Sequence, residues 1–289
     1  MNDRLFPSCA TSALPATAGF SGGGIGLWWL GQAGFLVESR ECRILVDPYL
    51  SDRLEQQFGL VPLSHRRMMP APIRAEALRD IDVVLVTHDH GDHLDPDTLL
   101  PISRNNPDCR LVVPSSAMEA ALGAGLPRSQ LLPIEAFQSL VIGALRVSAI
   151  PSAHEELAID DHGRALFLGY VFEIEGLRLY HSGDCTPYPG LLDNLSPFRI
   201  DIGLLPVNGR DTQRRSQGIL GNFHLAEAMA VAEQADFGYC LGHHFGLFDF
   251  NTIDEGRARE LVAHEAGGRF GLVLPGSVYR FGEGPRAGL

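Results

Sequence analysis

Residues 87–93 read Thr-His-Asp-His-Gly-Asp-His and follow directly on Ile81-Asp-Val-Val-Leu-Val86. That β-branched, nearly continuous apolar run is what a short strand covered on both faces requires. After the motif, Leu94-Asp-Pro-Asp97 carries the signature of a helix start, with Asp95 as cap and Pro96 in the first helical position. The polar string must therefore sit in a strand-to-helix turn at a carboxyl strand end, where open sheets tend to build sites. His88, His90, Asp92 and His93 bring four donors into six positions. Imidazole nitrogen and carboxylate oxygen are accepted by zinc, manganese and iron. One tight loop can fold these four around two adjacent cations.

Two cations need more donors than one loop gives, and three other segments repeat the pattern of a His or Asp just beyond an apolar strand. Pro151-Ser-Ala-His154 follows the strand ending at Ile150, Tyr180-His-Ser-Gly-Asp184 follows the strand at Leu177, and Gly242-His-His244-Phe follows the strand at Phe237. Four strand ends are thus expected to meet at one rim. Along the rest of the chain, Leu27–Glu38 (interrupted by glycines) and Arg43–Val46 read as two adjacent strands, and Ser51–Pro72 as a loop near the pocket mouth. Ala75–Arg79 reads as a short helix, Leu111–Pro114 as a buried strand, and Ser115–Leu122 as a helix with a serine cap. Strands are expected over 140–142, 145–150, 165–174, 177–181, 202–206, 237–241 and 269–274, with Glu175-Gly176 as a hairpin turn and helices over 225–234 and 254–265. Strand runs followed by helices predict two mixed sheets packed face to face with helices outside, an α+β protein of the αββα sandwich type.

The chain has 289 residues, enough for one large core, and no stretch approaches the ~20 apolar residues that span a bilayer. Met1–Gly24 is rich in small and polar residues and lacks the basic start and apolar centre of a secretory signal. We read residues 1–24 as a flexible arm, 25–289 as a single domain, and the protein as cytoplasmic. Five scattered cysteines fit a reducing compartment without a disulfide framework. A formal net charge of −12 argues against a nucleic-acid partner, while a small anionic substrate stays open because bound cations supply local positive charge. The expected partners are such a substrate, with no nucleic acid and no membrane insertion; assembly into a homo-oligomer is left open.

Trp28-Trp-Leu-Gly31, Thr87-His-Asp-His-Gly-Asp-His-Leu-Asp95, Leu179-Tyr-His-Ser-Gly-Asp184 and His243-His244 resemble the motifs of the metallo-β-lactamase-fold hydrolase superfamily over residues 27–280. Within it the chain is similar to the bacterial L-ascorbate-6-phosphate lactonase-like branch. The resemblance implies that His88, His90 and His154 bind one metal, that Asp92, His93 and a C-terminal His bind a second, and that Asp184 bridges them. His244 is preferred as that C-terminal ligand because Phe245-Gly-Leu-Phe248 follows it; an alignment through His243 is nearly as good. Asp47 matches an acidic position that steadies the ligand loop from behind, and a strand-ending Asp before Pro explains it equally. The lactonases of that branch differ at the position of His154 and are longer between the third and fourth motifs. The full histidine set admits zinc beside manganese, with iron as a third candidate, and two such divalent ions are the expected cofactors.

The chemistry so implied is hydrolysis by a water ionised between two cations, with Asp92 as both ligand and proton acceptor. Asn208 and Arg210, in the segment after the strand at 202–206, are the expected substrate contacts, with Arg214 and Arg215 close behind; arginine forks suit phosphate or carboxylate. The leading expectation is a hydrolase of a small anionic molecule such as a phosphorylated sugar lactone or related ester. A phosphodiesterase acting on nucleotides or phospholipid head groups and a non-catalytic metal-binding protein are the alternatives.

Overall fold

The computed structural model describes residues 6–21, 23–59 and 63–282, and its architecture is the αββα sandwich expected. The first sheet has eight strands in the spatial order β1 (Ser8–Thr11), β15 (Ser277–Phe281), β2 (Ile25–Gly31), β3 (Gly34–Glu38), β4 (Arg43–Val46), β5 (Val83–Leu85), β6 (Arg110–Pro114) and β7 (Leu131–Ile134). It is antiparallel up to β4 and parallel from β4 to β7. The second has seven, in the order β14 (Phe270–Leu272), β13 (Tyr239–His243), β12 (Ile202–Pro206), β11 (Leu177–His181), β10 (Leu168–Ile174), β9 (Leu145–Pro151) and β8 (Ser139–Ile142), parallel from β11 to β14 and antiparallel beyond.

The strands of the first sheet read as continuous apolar runs because both faces are covered. Side chains alternate across a strand, so Trp29, Phe35, Val37, Ile44, Val46 and Leu85 face the second sheet, where they meet Val147, Tyr170, Phe172 and Leu204. Their neighbours Trp28, Leu30, Leu36, Leu45, Val84 and Val86 form a separate core on the opposite face, covered by Leu99 and Ile102 of helix α2 (Pro96–Asn105) and by Ala121 of α3 (Met118–Gly123). Helices α4 (Leu225–Gln234) and α5 (Glu255–Glu265) cover the second sheet through Ala228, Val231 and Ala258. Asp95 caps α2 through the Asp97 N–H, with Pro96 at its first turn, as its sequence requires.

Several expectations are corrected. Leu27–Glu38 is a hairpin of two strands rather than one, because Gln32 takes a left-handed φ of 51° and reverses the chain between the two glycines. The strand placed at 237–241 sits two residues later. The segment beginning at Ser115 opens with a 3₁₀ turn, and Ser115 makes no cap to α3. The 51–72 segment carries helix α1 (Arg53–Phe58), while residues 60–62 lie outside the described residues. The arm is not loose where it is described. β1 pairs with β15, Gly19 and Phe20 donate backbone N–H groups to Glu38, and buried Arg43 donates to the carbonyls of Pro15 and Ala16. Residues 1–5 and 22 of that arm, and 283–289 of the domain, lie outside the described residues.

Candidate metal centre

Each donor stands just beyond a strand that ends at one rim of the sandwich. Asp47 follows β4, the His88–His93 turn follows β5, His154 follows β9, Asp184 follows β11, and His244 follows β13. Parallel strands at the centre of both sheets point their carboxyl ends the same way, which makes this convergence a consequence of topology. Three donor sets result, each with its ligand atoms within 4.8 Å of one another: His88, His93 and Asp184; His90, His154 and Asp184; Asp92, His93 and His244. All seven residues expected as ligands are therefore together, and Asp184 is shared between sets.

Hydrogen bonds on the far side of the rings fix which nitrogen faces inward. The Gly221 carbonyl can only accept, so His154 Nδ1, 3.0 Å away, carries the proton and Nε2 keeps its lone pair. His93 Nδ1 donates to Asp47 Oδ2 at 2.8 Å. Thr87 Oγ1 donates to the same carboxylate at 2.7 Å, which leaves it accepting from His88 Nδ1 at 3.0 Å, while Thr87 N–H donates to Asp47 Oδ1 at 2.8 Å. Asp47 thus steadies the ligand loop from behind. The inward atoms are His88 Nε2, His93 Nε2, His244 Nε2 and Asp184 Oδ1, all buried and none in hydrogen-bond geometry with a partner. Buried polar atoms without partners are rare and costly. A cluster of nitrogen and oxygen lone pairs aimed at common points is the donor set of a divalent transition metal, so these residues fit such ions.

The electrostatics fit as well. Burial pushes His88 far below the ordinary imidazole range, with His93 and His90 adding to it, and burial lowers His154 to about 4 despite Asp184. Burial opposes charge on His93 too, but Asp47, Asp184 and Asp92 outweigh it and hold that ring well above the ordinary value; burial also opposes charge on His244, and Asp184 raises that ring above its ordinary value. Burial likewise resists ionisation of Asp184, yet His244, His93 and His154 hold it well below the usual carboxylate range. A cation held among these residues would compensate the charge of the buried carboxylates.

His244 rather than His243 reaches the cluster. His244 Nε2 lies 3.1 Å from Asp184 Oδ1, whereas His243 stacks on His181 with ring centroids 5.1 Å apart and sits 3.3 Å from the Gln32 carbonyl. His181 braces its loop, accepting from Gly183 N–H and donating to Ala33 O. The expected substrate contacts are not brought to the site. Arg210 makes a fork to Glu227 at 2.6 and 2.8 Å, and Asn208 is buried, bonded to Asn251 and Asn222. Neither lines the cavity of about 500 Å³ that opens over His90, Asp92, His154, Asp184 and His244. Arg214 is held by Asp211 and Asn251, and Arg215 by Glu155 and Glu156.

One functional residue escaped the sequence reading. Gln32, at the turn between β2 and β3, donates a side-chain amide N–H to Asp92 Oδ2 at 2.9 Å, while its backbone carbonyl accepts from Trp29 Nε1 and from the His244 N–H. It ties the Asp92 and His244 ligands to one turn. Two glycines three residues apart, Gly31 and Gly34, were the available signal of a reversal there.

The comparisons with known proteins follow the same residues. A model described as Beta-lactamase superfamily domain matches residues 42–245, a stretch that holds Asp47 and every proposed ligand. The chain belongs to the metallo-β-lactamase superfamily. Among members, it is 25% identical over 240 residues to an N-acyl-phosphatidylethanolamine-hydrolyzing phospholipase D of Caenorhabditis elegans; the match covers 78% of this chain and 65% of that enzyme, so the chain spans slightly under two thirds of its length. It is 26% identical to a UPF0173 metal-dependent hydrolase of Methanosarcina mazei, over 86% of this chain and 95% of that protein. The superfamily fold is matched by the solved isothiocyanate hydrolase from Delia radicum gut bacteria, with a TM-score of 0.69 at 17% identity, covering 88% of this chain and 97% of that one. No described helix is long and apolar enough to cross a membrane.

Proposed function

We propose that this protein is a hydrolase working with two divalent cations, zinc or manganese with iron as a third candidate, on an ester-type bond of a small molecule. The carrying observation is the convergence of buried imidazole and carboxylate donors into three sets, each within 4.8 Å, with His90, Asp92, His154, Asp184 and His244 on the wall of an accessible cavity. His88, His90 and His154 would hold one ion, Asp92, His93 and His244 the other, and Asp184 would lie between. Ions so held would supply a lowered pKa for bound water and polarisation of a substrate oxygen. The chain's own contribution is to orient and to move protons. The Gln32 amide fixes Asp92 Oδ2 on the cavity wall, where the half-buried carboxylate can take a proton from the attacking water. Burial and the repulsion of Asp184 oppose ionisation of Asp92, but His93, His244 and the Gln32 bond hold it below the usual carboxylate range, which favours its ionised form.

For the bond cleaved, the lactonase-like motifs support a lactone or related ester, and any anionic charge on such a substrate would be met by the cations. A phosphodiester is the second reading, supported by the phospholipase D relative. Five unbridged cysteines support a reducing, cytoplasmic setting. The test is metal analysis of the purified protein, followed by a panel of lactones, carboxylic esters, amides and bis(p-nitrophenyl) phosphate with zinc-, manganese- and iron-loaded samples. Lactone or ester turnover supports the leading reading and phosphodiester turnover alone the second. Inertness with two metals bound per chain overturns both.

A further inference from the structure

The cavity over the proposed metal centre is walled by Leu54 and Phe58 of α1 with Leu63 and His65, by residues 217–220, and by Phe248, Phe250 and Asn251. Its wall is aromatic and aliphatic. Phe248 and Phe250 stand parallel with centroids 5.8 Å apart, and His65 packs edge-on against both at 5.1 and 4.9 Å and lies tilted against Phe58 at 5.1 Å. Burial lowers the His65 pKa, so this ring is neutral and belongs to the apolar surface. The polar residues of the wall outside the metal-binding set are the uncharged amides Gln32, Gln217 and Asn251. Among the described residues no arginine lines the cavity, and the chain contains no lysine. Arg214 stands behind Asn251 and is engaged by Asp211, Asn251 and the Asn208 carbonyl. Beyond the metal centre, nothing in this wall compensates an anion, whereas about 500 Å³ with apolar sides is of the size and character that takes up an uncharged organic group.

We infer that the substrate carries an uncharged apolar group, a short alkyl chain or an aryl ring, beside the bond that is cleaved, and that Phe58, Leu63, Ile219, Leu220, Phe248 and Phe250 receive it. This rests on the hydrolase reading and narrows its substrate class. The polar end lies at the metals and the apolar end on the aromatic wall. A phosphorylated sugar, polar at both ends, is disfavoured.

Binding of turnover-inert amides to the zinc-loaded protein, followed by isothermal titration, tests the inference without relying on catalysis. The probes share one head group: acetamide, hexanamide, phenylacetamide and adipamate, the last being hexanamide length with a terminal carboxylate. Hexanamide and phenylacetamide are expected to bind at least about tenfold more tightly than acetamide, as when about two methylenes leave water, and more tightly than adipamate by a similar factor. Phe250→Ala is expected to remove most of that preference. Where Phe250→Ala does not fold by circular dichroism, Ile219→Asp, which sets a charge on a half-exposed part of the wall, is expected to do the same. Adipamate equal to or tighter than hexanamide overturns the inference, as does an unchanged preference in a folded Phe250→Ala or in Ile219→Asp. Selective hexanamide binding by a protein that cleaves no ester would refute the hydrolase reading and leave the apolar wall standing. Ester cleavage with an adipamate preference would do the reverse.

Discussion

Asp47 concentrates the logic of the centre, and two substitutions there separate its structural and its ligand-orienting roles. Its carboxylate accepts from Thr87 N–H, Thr87 Oγ1 and His93 Nδ1, all within a fully buried region. Asp47→Ala leaves three donors without an acceptor. At about 1–3 kcal/mol for each buried unsatisfied group, with the Thr87 hydroxyl partly rescued by rotation, the loss is about 3–5 kcal/mol. The φ of 40° adds about 1 kcal/mol, because alanine tolerates the left-handed region less well than aspartate. That is a large fraction of the ~5–15 kcal/mol stability of a typical domain. Asp47→Asn keeps the shape, the backbone preference and an oxygen for Thr87 N–H, so its stability loss is expected to be about 1–2 kcal/mol. Its amide, however, presents a donor to His93 Nδ1. The ring must then accept there and carry its proton on Nε2, the atom that faces the metal. Metal affinity should fall about 10–100-fold with little change in folding. Urea denaturation of chelator-treated protein reads the first quantity, and zinc competition against a fluorescent chelator reads the second. Native zinc affinity in Asp47→Asn, or an Asp47→Ala no less stable than Asp47→Asn, would refute the reasoning.

Other outcomes follow from single sites. His90→Ala is expected to lower bound metal per chain, measured by elemental analysis after gel filtration; undiminished stoichiometry would remove His90 from the ligand set. Gly183→Ala should lose on the order of 3 kcal/mol or fail to fold, because a Cβ there would stand 2.7 Å from the Leu168 carbonyl and 2.8 Å from Thr87 at a φ of 61°. Gly163→Ala, also left-handed but with nothing within 4 Å, should cost about 1 kcal/mol in the same denaturation assay. Thiol titration with Ellman's reagent at pH 8 should find one fast cysteine, exposed Cys9, in the native protein and five after unfolding, since burial pushes Cys42, Cys109 and Cys185 to about 12 and raises Cys240 well above the ordinary thiol value. Two or more fast thiols would contradict the packing.

The ligands were legible because their chemistry is local. His88–His93 form one turn, and His154, Asp184 and His244 each follow an apolar run whose end position can be counted. The architecture was legible for a related reason: runs such as Val83–Leu85 are apolar on both faces only when both faces are covered. Arg210 misled because a basic residue after a strand says nothing of its partner; Glu227, seventeen positions on, takes its fork. Gln32 was invisible because its role lies in contacts to Asp92 and His244, far away in sequence. The N-terminal segment looked loose because Ser-Cys-Ala-Thr carries no strand pattern, and β1 exists only through its pairing with β15 at the other end of the chain.

Backbone strain in this protein marks the same rim. Of the eight described non-glycine residues at positive φ, four (Gln32, Asp47, Glu155 and His244) surround the centre. Each costs on the order of 1 kcal/mol or more, and glycine would remove that cost, so each side chain must do something glycine cannot. Gln32 holds Asp92, Asp47 holds His93, and His244 is itself a donor. Glu155 is the least obvious. Its carboxylate accepts from Gly221 N–H at 3.0 Å and pairs with Arg215, while the preceding His154 donates to the Gly221 carbonyl, so consecutive residues grip both ends of one glycine. That grip sets the His154 ring and the residues 217–220 that wall the cavity. Glu175, by contrast, has its φ of 51° in the two-residue turn between β10 and β11. Glu175→Gly should therefore leave stability within about 0.5 kcal/mol of the parent and leave zinc affinity untouched. Glu155→Gly relieves the same kind of strain yet should weaken zinc binding by about tenfold. Equal zinc affinities in the two variants would mean that Gly221 is held without Glu155, and that the strain at the rim has no part in placing the ligands.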